Sequence, residues 1–84
     1  MKSLTEGRIV HFVMPDGQHR PAIVVRKWND YNGCCNLQVF LDGTNDANSK
    51  ATREQMDTGI MWVTSAEYSD TKGQRTWHWP EHTD

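Results

Sequence analysis

The side chains able to do chemistry in this chain are concentrated in a few residue types. Among 84 residues are four Trp, four His and two Cys. Trp28, Trp62, Trp77 and Trp79 offer flat rings on which planar molecules stack, worth roughly 1–3 kcal/mol per base. Any one of them equally suits a core or a barrel-end plug. Tyr31 and Tyr68 fall in or near loops and could extend the same platform. His11, His19, His78 and His82 add imidazoles, although a lone strand histidine is more often an ordinary surface or core residue. His19 and Arg20 are neighbours, and a guanidinium fork beside an imidazole suits a phosphate or carboxylate. His78, held between Trp77 and Trp79, is the most distinctive local feature. Asn45, Asp46 and Asn48 could meet ribose hydroxyls or amides, or stabilise their own loop as Asx turns.

Other chemistries are not signalled. Cys34 and Cys35 are adjacent, which fits neither a disulfide staple nor a CxxC metal motif, and no HxxxH follows. No metal and no cofactor is therefore expected. There is no nucleophile elbow, Walker loop or dinucleotide fingerprint. Glu6, Glu54, Glu67 and Glu81 are scattered, so spacing pairs no carboxylates for acid–base work. The chain reads as a non-enzyme.

Short apolar runs must position these residues. The first is 7–14, closed by the turn signal Pro15-Asp16-Gly17-Gln18. The second is 21–28, rich in β-branched residues and opened by a Pro that fits the first residue of a strand. The third, 35–41, alternates and stops at Asp42-Gly43. Residues 44–58 form one long polar loop with a short helical turn around 52–56. The fourth run is 59–68 and the last 76–80. Five short strands at this spacing predict an all-β fold, a small five-stranded SH3-like barrel with one long loop, as a single domain over 1–84.

Alternation then assigns faces. Val10 and Phe12 share one face, with Ile9, His11 and Val13 on the other. Leu37, Val39 and Leu41 point to the core; Asn36, Gln38 and Phe40 point away. Trp62 aligns with Ile60 and Thr64, while Trp77 and Trp79 oppose His78. Apolar residues on both faces of several strands imply a second covered surface, at a subunit or a ligand. A homo-oligomer is expected, because a domain this small is marginal alone.

Bulk properties exclude several classes. A net charge of −2 and a pI near 6.0 lack the basic balance of a nucleic-acid binder. No apolar run approaches the roughly 18 residues of a membrane span. The segment 1–5 has one Lys and no apolar signal-peptide core, which leaves the cytoplasm as the expected location.

Two resemblances follow from the motifs. Gly7 to Phe12, Asp16-Gly17 and Arg20 to Val25 resemble the opening hairpin of PemK-type endoribonuclease toxins, which are SH3-like barrels. That resemblance implies a cleavage role for Arg20, with Thr44 as its assistant. More broadly, His11 to Val25, Asn36 to Asp46 and Trp77 to Glu81 are similar to small proteins of tailed phages and prophages. That likeness implies a host-cytoplasmic virion accessory or an anti-defence protein that sequesters a signalling nucleotide. The expected function is thus a non-catalytic binding module for a small, nucleotide-like anionic ligand, held by Trp, His and Arg. A virion or host-protein interaction module and a toxin-type nuclease are the alternatives.

Overall fold

In the computed structural model, residues 4–28, 32–43, 46 and 51–81 are described. Strand β1 spans Ile9–Val13, β2 His19–Lys27 and β3 Cys35–Phe40. Helix α1 spans Arg53–Thr58, followed by β4 at Ile60–Ala66 and β5 at Trp77–His78. The strands make one sheet in the order β4-β3-β2-β1-β5, with every neighbouring pair antiparallel. The all-β expectation is met. The ladder ends at β4 and β5, and an isolated parallel bridge, Tyr68↔Trp77, ties the chain beyond β4 to β5. No helix among the described residues is long and apolar enough to cross a membrane.

Local chemistry explains the joints. In the β1–β2 turn, Gly17 takes φ 90, a region open to glycine. The Gln18 N–H donates to Asp16 Oδ1 at 3.1 Å, and the Met14 N–H to the Gln18 carbonyl at 2.7 Å. Strand β2 begins at His19, two residues before the expected start at Pro21. Its ladder to β3 begins only at Ala22, so Pro21 and its missing N–H stand outside that ladder. The expected helical turn is α1, closed by a capping box between Thr52 and Gln55.

The core lies against the face of β1 that carries Val10 and Phe12. They pack with Ala22, Val24, Leu37, Val39 and Trp77. Trp77 is fully buried, directly opposite Phe12 in the β1–β5 register, and its Nε1–H donates to the Gly33 carbonyl at 2.7 Å. Trp79 is half-buried and meets Trp77 edge-on at 5.1 Å. Asn36, expected to point away, is buried at a register shift of β3 against β4. Its Oδ1 accepts from Trp28 Nε1 and from the Ser65 N–H, which satisfies the buried amide oxygen. Ile9, Val25, Trp28, Phe40, Ile60 and Trp62 remain exposed.

Candidate metal centre

The outward face of β1 carries His11, and register does the rest. Strand β5 pairs His78 directly with His11. Strand β2 places His19 opposite Val13, two residues along the same face. Three imidazoles from three adjacent strands therefore meet, with ring centroids 4.6–6.4 Å apart. Pro80 then leads to Glu81, whose carboxylate turns back over the rings.

All three imidazoles address one oxygen. Glu81 Oε1 lies 2.8 Å from His78 Nε2, 3.1 Å from His19 Nδ1 and 3.2 Å from His11 Nδ1. The four ligand-type atoms lie within 4.8 Å of one another. A carboxylate oxygen offers about two lone-pair sites, so three ring N–H donors exceed what it can accept well. A metal ion removes that conflict, because each nitrogen then presents a lone pair to the ion. Adjacent ligands about 2.0–2.2 Å from a tetrahedral Zn²⁺ are roughly 3.3–3.5 Å apart. The N···O separations, 2.8–3.2 Å, are a little shorter than that, and the four atoms together span up to 4.8 Å, so a bound ion would draw the rings inward.

Burial grades the cluster. His78 is only 3% exposed, His11 and His19 are half-buried, and the Glu81 side chain is 38% exposed. Burial pushes the His78 imidazolium down from its ordinary pKa, against the opposing pull of Glu81. A neutral ring is the form that ligates metal. The hydrogen bond from His78, then those from His11 and His19, hold Glu81 down at about 2. On the far side of the His78 ring, Nδ1 is buried with no hydrogen-bond partner. Lys72 Nζ lies 3.9 Å from Glu81 Oε2, at the edge of ion-pair range.

The other candidate residues are placed elsewhere. Arg20 points to the opposite face from His19, level with Phe12. Its guanidinium grips Asp46 with a two-pronged fork, Nε to Oδ2 at 2.8 Å and Nη2 to Oδ1. Asp46 is fully buried and also accepts the Asp42 N–H at 2.7 Å. Arg20 and Asp46 are thus brought together as each other's partners. Trp28 is exposed under the Arg26 guanidinium, 4.2 Å from its ring centre. Trp62 borders a cleft, Trp77 is core, and Trp79 lies under Arg8. Tyr31, Asn45, Asn48, His82 and the toxin-type candidate Thr44 lie outside the described residues.

Glu81 is the member of the cluster that sequence reasoning missed. Its signal was available locally: His78 and Glu81 are three residues apart around a proline. No spacing within the chain revealed that His11 and His19 would join them, and the expectation of no metal ligands rested on spacing alone. No family model, curated protein or solved structure matches the chain.

Proposed function

We propose that this protein is a binding module for a divalent transition-metal ion, ligated by His11, His19, His78 and Glu81. The observation that carries this reading is the convergence of three ring nitrogens on one carboxylate oxygen. Imidazole with carboxylate suits borderline ions such as Zn²⁺, and Fe²⁺, Co²⁺ or Ni²⁺ at higher coordination number. Three ligands come from paired strands and one from the segment after β5. The site is therefore preorganised on the rigid side and closed by its most exposed member.

Capture of an anion by the His19–Arg20 pair has less support. The two side chains leave opposite faces of β2, and the Arg20 fork is occupied by Asp46. The same occupation removes support from a toxin-type cleavage role for Arg20.

The test is zinc titration of chelator-treated protein by calorimetry, with metal content measured by mass spectrometry. One ion per chain is expected, with binding greatly weakened in His78→Ala and in Glu81→Ala. Failure of the folded wild-type chain to bind zinc, cobalt or nickel would refute the proposal. Unchanged binding in both variants would refute this ligand set.

A further inference from the structure

A cleft of about 330 Å³ opens beside β4 and shares no residue with the imidazole cluster. Buried Phe12 and half-buried Met61 and Val63 form its floor, while Trp62, Thr64 and Arg75 stand exposed around it. Its size is at the lower end of the roughly 300–1,000 Å³ typical of small-molecule sites. That is room for one ring system with a short arm. Strand β4 ends the sheet, so the cleft reaches both the inward residues of that strand and its outward indole.

Two of its side chains are unspent. The Trp62 indole is 49% exposed, and among the described residues it has neither a ring partner nor a hydrogen bond. By contrast, Trp28 is bonded to Asn36, Trp77 to Gly33, and Trp79 meets Trp77 edge-on. Arg75 likewise makes no side-chain hydrogen bond or ion pair among the described residues, whereas Arg20 is committed to Asp46. The Arg75 backbone is nevertheless fixed. Its N–H donates to the Val13 carbonyl at 2.7 Å, and the Val13 N–H donates to the Thr76 carbonyl at 2.9 Å. This clamp holds Arg75 at φ 65, a conformation that costs energy in a residue with a Cβ.

Charge selects between the two sides of the indole. A second depression, about 400 Å³, is bordered by Trp62, Gln38, Ile60, Thr58 and Glu54. Its ionisable residue is an acid, whereas the first cleft holds a guanidinium. We propose that the first cleft binds a planar aromatic anion, with the ring stacked on Trp62 and the anionic group on Arg75. This site is independent of the metal centre.

The experiment is calorimetric titration of metal-free protein with adenosine 5′-monophosphate and, separately, indole-3-carboxylate. Adenosine and inorganic phosphate serve as the two halves of the first probe. Saturable one-to-one binding of at least one anion is expected, with adenosine and phosphate each at least about tenfold weaker. Trp62→Ala and Arg75→Ala should each weaken binding by roughly 5- to 100-fold. Trp62→Phe and Arg75→Lys should retain most of it, and Glu54→Gln, in the second depression, should leave it unchanged. Binding of the nucleotide alone assigns a nucleotide site, and binding of the carboxylate alone assigns an aromatic-acid site. Binding of neither, equal affinity for adenosine, or binding that survives both alanine variants would overturn the proposal. Both side chains are exposed, so an unchanged circular dichroism spectrum is expected to confirm that the variants fold.

Discussion

His19 and Arg20 are consecutive residues with opposite fates. His19 leaves the outer face of β2 and joins a half-exposed cluster around Glu81. Arg20 leaves the inner face and locks onto a carboxylate with no exposure at all. Both contacts bring an acid to a nitrogen base across a long stretch of chain, 62 residues for one and 26 for the other. They differ in completeness. The Arg20–Asp46 fork matches two donors to two oxygens, and Asp46 gains a backbone N–H from Asp42 as well. The imidazole cluster crowds three nitrogens onto one oxygen. A matched, buried pair is closed to ligands and fixes structure. A mismatched, accessible cluster has an unsatisfied demand that an ion can meet.

Breaking the closed pair should have the largest effect. Arg20→Ala leaves the Asp46 carboxylate buried without its main partner, a change that typically costs about 3–5 kcal/mol. A domain of this size has only about 4–13 kcal/mol in total. Urea denaturation should show a large fall in midpoint, and Arg20→Lys should fall in between because it keeps charge without the fork. Zinc affinity of the folded fraction should barely change. A large loss of zinc affinity in folded Arg20→Ala would erase the distinction between the two regions.

Acid sharpens the same point. The Arg20 hydrogen bond holds the Asp46 carboxyl below its ordinary pKa of 3.8. A depressed folded pKa gives stability that is fully present above the unfolded value and lost as pH falls through the folded one. In Arg20→Ala the same carboxyl stays buried without the guanidinium, and burial favours its protonated form. The stability gap between wild type and Arg20→Ala should therefore be widest at neutral pH and narrow progressively as pH falls towards about 3. Urea midpoints measured along that range check it. A gap that did not narrow on acidification would show that the Asp46 carboxylate is not the source of the effect.

The open cluster should respond next. Loss of an outer-shell partner commonly costs 10- to 100-fold in metal affinity. Removal of a ligand, as in His78→Ala, should exceed about 100-fold. His11→Ala and His19→Ala should follow in the same direction. Excess zinc should raise the thermal midpoint of wild type but not of His78→Ala, since zinc at 100 times its Kd adds about 2.7 kcal/mol. Equal zinc stabilisation of both proteins would place the ion elsewhere.

How much of this was legible depends on the range of the signal. Side-chain alternation is local, and it separates Val10 and Phe12 from Ile9 and His11, and His78 from Trp77 and Trp79. It does not say that Val13, grouped with His11, would be buried as well. The Pro15–Gln18 turn and the Thr52 helical turn were equally local. Register is not local. That His78 faces His11 depends on β5 pairing with β1 across almost the whole chain, and no residue in either strand encodes the partner. Arg20 and Asp46 were singled out as ligand contacts because a charged fork and an acid look the same in sequence whether free or paired. The four Trp take different places for the same reason. Trp77 lies opposite Phe12 and completes the core, whereas Trp62, on the end strand, is about half exposed and has no ring partner among the described residues.

The smallest effect should come from Lys72. Its ammonium lies 3.9 Å from Glu81 Oε2, while Oε1 of the same carboxylate takes the three imidazoles. Both partners are exposed, and exposed ion pairs contribute little to stability because water and salt screen them. Lys72→Met should leave the denaturation midpoint unchanged. Zinc binding is a different matter, since a cation near the site opposes a dication and competes for its carboxylate. Removing it should tighten zinc binding by about two- to fivefold at low ionic strength, and the gain should fade at 1 M salt, where the screening length is about 3 Å. Calorimetry at two salt concentrations reads this directly. If Lys72→Met weakened zinc binding instead, Lys72 would be holding Glu81 in place. The fourth ligand would then depend on a partner just as Asp46 depends on Arg20, and the cluster would be less open than its three crowded nitrogens imply.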